Sequence, residues 1–402
     1  MKDLNIMDPE LYVNDPHSTY KWLRNNAPVF WDENNSTWVI SKYEDVVEVS
    51  TNPKVFHSSR GILPDTDAYP QISIVTMDDP RHGQLRRLVN RGFTPSMVEL
   101  LEDRVRAIVN ESIDAVIERG RCDFAVDIAA PLPLLVIAEL LGIRRGDEER
   151  FKLWSDAMML SAGRSTEPHI LERATEAFSE YAAYLRDLIE ERRRKPEKDL
   201  ISVLIGAYDE GVLESSGDVM EENELLMFMT LLMVAGNETT RNAIAGGVLA
   251  LIQNPDQRRK LIDDLGLLDS ATEEVIRWVS PIIGFARTAT EDTAIRGQRI
   301  AKDDKVFMLY QSANRDEEVF EEADRFRIDR SPNDHLAFGI GSHYCLGANL
   351  ARLEIKIMLE SLTRRMPDIE LAPGAGVTRF YSPIVAGIES MPVVFSHESV
   401  EN

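Results

Sequence analysis

The segment Phe338-Gly339-Ile340-Gly341-Ser342-His343-Tyr344-Cys345-Leu346-Gly347 decides how this chain is read. A helical pattern of apolar residues follows it to about Arg365, so Cys345 is expected just where that helix begins. Orphan backbone N–H groups and the positive end of the helix dipole favour a thiolate there, and the thiolate is the form that binds metal. Gly339, Gly341 and Gly347 leave the backbone free for unusual torsions and for the close approach of a large flat ligand. Taken alone, a cysteine at a helix start is more often a small buried hydrophobe. The glycines fit no rival motif: a dinucleotide fingerprint needs glycine where Tyr344 stands, and no G-x-x-x-x-G-K-[ST] phosphate loop occurs.

Around this loop the composition narrows the possibilities. The chain has 402 residues, with 45 Lys and Arg against 68 Asp and Glu, a formal net charge of −23. That charge repels phosphate backbones and anionic membranes, so nucleic acid is not an expected partner. Cys122 and Cys345 are too few for a disulfide framework, an iron–sulfur cluster or an all-cysteine zinc site, which fits a reducing cytoplasm. The N-terminus, MKDLNIMDPELYVNDP, lacks the basic end and apolar core of a signal peptide. Leu225 to Gly236, taken as the most apolar run, is about half the length a membrane span requires. No membrane span is therefore expected.

Helical periodicity covers Pro95 to Gly120, Ala129 to Gly142, Pro168 to Arg194, Glu221 to Asn254, Asp256 to Leu265 and Ser270 to Val279. Short β-type runs lie at Val29 to Ile40, Ile295 to Ile300, Val306 to Tyr310 and Met391 to Phe395. The expected fold class is mainly α with small β-sheets, as one domain over residues 1–402. The charged and small-residue stretch from Pro196 to Glu222 is read as a connection between helices within it.

Glu221 to Asn254 is apolar nearly all round in its first half and hence central. It then turns polar at Asn237, Glu238, Thr239 and Thr240, next to Ala235 and Gly236. Glycine weakens a helix, and threonine can bond a preceding carbonyl, so a kink and a groove for a small ligand are expected here. Glu274-x-x-Arg277 forms an i, i+3 pair, commonplace on an exposed helix. His82-x-x-x-Arg86 places two cation-capable side chains one turn apart, suited to carboxylates. His17, His57, His169, His335 and His397 lack metal-motif partners and are read as surface or loop residues.

Together these motifs resemble the cytochrome P450 family, the haem-thiolate monooxygenases, in order and over nearly the whole chain. The resemblance implies an α-rich triangular prism, haem b as cofactor and O2 as co-substrate. Residue by residue, it makes Cys345 the axial iron ligand and puts Phe338 beside the haem. It gives His343, His82, Arg86 and, by spacing alone, Arg287 to the propionates. Ala235 and Gly236 would form the oxygen groove, with Glu238 relaying protons from solvent and Thr239 donating a hydrogen bond to the oxygen being reduced. Cleaving dioxygen takes electron push from the thiolate and protons from the other side, so both residue types are needed. Glu274 and Arg277 would join a third basic residue, Arg325 or Arg330, to brace the core.

Substrate contacts are expected from Gly61 to Thr76, Ser161 to Glu167, Leu226 to Ala235, Ile282 to Phe285 and Ser382 to Glu389, mostly apolar segments that suit a lipophilic, uncharged guest. Gly61 to Asp65, Asn333 to Gly339 and Ile388 to Phe395 are similar to the actinobacterial hydroxylases of the cholesterol and cholest-4-en-3-one side chain. No flavin or iron–sulfur module is visible, so a separate ferredoxin and its reductase must supply electrons. A basic docking face is expected from Arg86, Arg87, Arg91, Arg352, Lys356, Arg364 and Arg365. The alternatives are a haem-thiolate peroxygenase or isomerase, in which Glu238 and Thr239 should be replaced, and a haem-binding sensor, which should carry an output domain.

Overall fold

The computed structural model describes residues 4–64, 73–161, 168–209, 221–381 and 385–396. Helices dominate it. Several open where proline occupies the first turn, at Pro95, Pro131 and Pro255, its missing N–H being surplus there. The longest helix, Glu221–Gln253, buries Met229, Met233, Ile244 and Val248 completely or nearly so. It packs on the helices Pro131–Leu141 and Leu268–Val279, the second of which turns one strongly apolar face toward it.

A five-stranded sheet runs in the order Val29–Asp32, Thr37–Ile40, Lys305–Leu309, Gly284–Ala289, Phe56–His57. Thr37–Ile40 lies parallel to Lys305–Leu309, which pairs antiparallel with Gly284–Ala289 in a register that sets Arg287 opposite Val306. The first sixty residues thus join a sheet whose centre lies some 250 residues further on. Two small hairpins, Thr293–Ile295 with Gln298–Ile300 and Thr378–Tyr381 with Ala386–Ser390, and a three-stranded sheet complete the β part.

Pro168–Arg194 is helical over its whole expected span, and the long helix ends one residue early, at Gln253. Pro95 to Gly120 divides into Pro95–Glu99 and Glu102–Ile117. The Pro196 to Glu222 connection contains a helix, Leu200–Asp209, that buries Leu200, Ile201, Leu204 and Ile205; residues 210–220 lie outside the described residues. Glu148–Ser161 is a further unanticipated helix. Phe124–Leu141, not Leu225 to Gly236, is the described stretch apolar and long enough by composition to cross a bilayer, and 67% of it is buried inside the protein.

Candidate active site

The loop Phe338 to Gly347 is closed by its own backbone: Cys345 N–H donates to the Phe338 carbonyl at 2.8 Å and Gly339 N–H to Leu336 at 2.9 Å. Gly341 has φ of +79°, and a Cβ there would lie 2.8 Å from the Ser50 carbonyl oxygen, so only glycine fits. The following helix starts at Ala348, three residues beyond Cys345. The helix-start expectation is therefore corrected. Burial pushes the Cys345 thiol up, while the Gly347 N–H, Arg86 and Arg352 oppose this.

Cys345 shares one cavity with Phe338, His343, His82, Arg86, Arg287, Ala235, Gly236 and Thr239. His82 and Arg86 come from the helix Arg81–Val89, and Arg287 from the strand Gly284–Ala289. The His82 and His343 rings stack with centroids 4.0 Å apart, and His343 Nε2 meets Ser58 Oγ at 3.2 Å. Burial, then Arg287, His82 and Arg86, bring His343 down to about 2. Arg86 bonds the Tyr344 carbonyl. Arg287 is only 5% exposed, and among the described residues its one side-chain hydrogen bond runs to the Ala286 carbonyl at 2.9 Å.

The long helix is unbroken through Gly236, and Thr239 Oγ1 donates to the Ala235 carbonyl at 2.7 Å. Gly236 also has a packing reason: a Cβ there would meet Ile137 Cδ1 at 2.8 Å. Glu238 does not line the cavity; it is 4% exposed and accepts from Asn242 Nδ2 at 3.0 Å. Thr240 does line it, which its neighbour in sequence concealed.

Glu274 and Arg277 are completely buried and doubly bonded, at 2.7 and 2.8 Å. Arg330 is the third member, its Nε 3.0 Å from Glu274 Oε2, whereas Arg325 lends only its carbonyl and pairs its exposed side chain with Glu322. His335 lies on an irregular segment, as expected, but its side chain is 2% exposed and bonds Glu273 at 3.1 Å. His17 opens the helix His17–Asn26, and among the described residues its Nδ1 is buried without a partner. The docking cations are mostly engaged: Arg352 with Glu273, Lys356 with Asp269, Arg364 with Glu360 and Arg365 with Asp114, while Arg86 turns into the cavity. The Arg91 side chain lies outside the described residues.

The donor set fits haem b: among the described residues, one cavity-lining thiol, and a buried arginine with no side-chain partner beside a second arginine and two imidazoles. Residues 9–367 match the family described as Cytochrome P450. The chain belongs to the cytochrome P450 family. A steroid C26-monooxygenase of Mycolicibacterium smegmatis is 39% identical over 395 residues, covering 98% of this chain and 96% of the relative. A methyl-branched lipid omega-hydroxylase of Mycobacterium bovis is 37% identical, covering 93% and 90%. The crystal structure of CYP109E1 from Bacillus megaterium with testosterone superposes with a TM-score of 0.85 at 34% identity, covering 95% of this chain and 99% of that one. This P450 is a haem b- and O2-dependent monooxygenase of lipophilic substrates, with the mainly α fold and small sheets of its family.

Proposed function

We propose that this P450 hydroxylates the terminal carbon of a steroid or methyl-branched lipid side chain, with the whole chain working as one domain in the cytoplasm. The observation that carries the reading is that Cys345 and Thr239 line one and the same cavity. Haem b held there supplies the iron at which dioxygen is activated. Cys345 would hold that iron through its sulfur; Arg287, Arg86, His82 and His343 would neutralise the haem's carboxylates; Phe338, Ala235 and Gly236 would pack against it.

Thr239 holds a hydrogen-bond donor at the cavity wall. Its proton rests on the Ala235 carbonyl, so rotation about one side-chain bond turns it inward. Glu238 is the proton source behind it, kept in place by Asn242 and delivered by a change of side-chain rotamer. The upper cavity, with Phe228, Leu231, Leu232, Ile282 and Phe285, is apolar and excludes water from the reacting carbon.

Support for a terminal position comes from two relatives named for C26 and omega oxidation. The parts of the expected substrate segments at 65–72, 162–167 and 382–384 lie outside the described residues. Electrons come from a separate small acidic ferredoxin and its reductase, docking on the Cys345 side near exposed Arg87. Spectral titration with cholest-4-en-3-one, testosterone, a methyl-branched fatty acid and a terpene tests the substrate class. Side-chain-bearing sterols or branched acids should displace iron-bound water and give terminally hydroxylated products; a response to terpenes alone would overturn the proposal.

A further inference from the structure

A second cavity, of about 430 Å³, lies further along the long helix, between Asn242 and Gln253. It shares no lining residue with the cavity of Cys345. The chain carries −23 overall, yet this cavity is lined by Arg315, Arg379 and His17. Arg315 is 8% exposed and lies over Trp278, its Cζ 3.7 Å from the ring centroid. Among the described residues its single side-chain hydrogen bond joins one terminal nitrogen to the Trp278 carbonyl at 3.3 Å, and its Nε is buried without a partner.

Arg379, on the strand Thr378–Tyr381, is exposed and makes no ion pair among the described residues. His17 Nδ1 is likewise buried without a partner. The one carboxylate lining the cavity, Asp15, is exposed and accepts from the His17 backbone N–H at 3.0 Å. Asp324, whose charge also reaches Arg315, is held by Lys21 at 2.6 Å. Burial and the cations Arg315, Arg24, Arg379 and Arg277 hold the His17 imidazole well below its ordinary value, as a positive field does. Val13, Leu249 and Val279 put an apolar stretch in a wall that also carries the amides of Asn14, Gln253 and Gln311.

A guanidinium fork with unused donors, 8% exposed and set beside aliphatic side chains, suits a carboxylate carrying an apolar body. We propose that this cavity binds a small organic carboxylate, held by Arg315 and Arg379, at a site separate from the substrate cavity.

Calorimetric titration of the haem-loaded enzyme with naphthoate tests this, with phenylimidazole saturating the haem cavity so that only the second site is read. One equivalent should bind. Arg315→Gln should weaken binding ~10-fold and Arg379→Gln ~5-fold, each losing a charge-assisted contact. Naphthamide, which keeps the shape without the charge, and inorganic phosphate, which keeps charge without the apolar body, should bind far more weakly. Should Arg315→Gln disturb folding, Arg379→Gln, at an exposed position, carries the test. No naphthoate binding in the presence of phenylimidazole, equal affinity for the Arg379 variant, or equal affinity for naphthamide would each overturn the proposal.

Discussion

Arg352 lays its guanidinium over Phe338, Cζ 4.7 Å from the ring centroid, while giving Nε and Nη2 to Glu273 at 2.6 and 3.0 Å. His335 bonds the same carboxylate, and Arg352 Nη1 reaches the Tyr344 hydroxyl at 3.1 Å. The cysteine loop is thus clamped from the helices on either side. Burial alone would raise Glu273, yet the hydrogen bonds from His335 and Arg352 bring it down to about 2. Because the folded value lies below the ordinary 4.5, this contribution is present above that pH and fades as the carboxylate protonates toward pH 2. Glu273→Gln should cost about 1–2 kcal/mol at pH 7 and flatten the fall of Tm with acid in that window. A native-like acid limb in the variant would contradict the clamp.

The Glu274 network predicts a sharp contrast between two arginines. Arg330→Leu leaves part of a fully buried carboxylate uncompensated and should cost about 3–5 kcal/mol, so that little folded protein accumulates. Arg325→Ala removes an exposed side chain and should leave stability nearly unchanged. Denaturant midpoints of the two variants decide the matter.

Two glycines of the cysteine loop should part in the same way. Gly341→Ala meets both a left-handed backbone and the Ser50 carbonyl, and should destabilise by about 2 kcal/mol or more while lowering haem retention. Gly347 has φ of −84° and open space around it, so Gly347→Ala should be tolerated. Thermal melts and the haem-to-protein absorbance ratio read both effects.

What could be seen in the sequence follows from which forces are local. Pro168–Arg194 was legible because its apolar stripe repeats every three to four residues, and Cys345, His82, Arg86 and Arg287 because their spacings form a motif. Leu200–Asp209 was obscured by charged and small neighbours on both sides. The choice of Arg330 over Arg325 depends on the path of an irregular segment, which carries no periodicity. Glu273 and His335 are 62 residues apart, so only folding joins them. Helix periodicity carries no sign that Gly236 answers to Ile137, nearly a hundred positions earlier.

Reduction of the purified protein under carbon monoxide should give the strongly red-shifted band of thiolate-ligated haem, and Cys345→Ser should abolish it. Thr239→Ala should keep haem while diverting reducing equivalents to hydrogen peroxide. Unchanged coupling of electrons to product would remove Thr239 from proton delivery.

The docking face can be tested by charge. Arg87→Glu should lower the ferredoxin-driven rate several-fold at low salt, with the difference shrinking as ionic strength rises. Arg364→Glu should do less, because Arg364 already spends its charge on Glu360 at 3.0 Å. Equal rates for native enzyme and the Arg87 variant at every salt concentration would move the docking site elsewhere.

The contact between Gly341 and Ser50 bears on biogenesis. A ribosome must deliver the last quarter of the polypeptide before the early hairpin of Val29–Asp32 and Thr37–Ile40 finds its further mate, Lys305–Leu309, so one edge of that hairpin waits unpaired for most of translation. Pigment capture is therefore an event of the finished chain, and premature stop codons even shortly before residue 341 should yield colourless, protease-sensitive fragments rather than partially active ones.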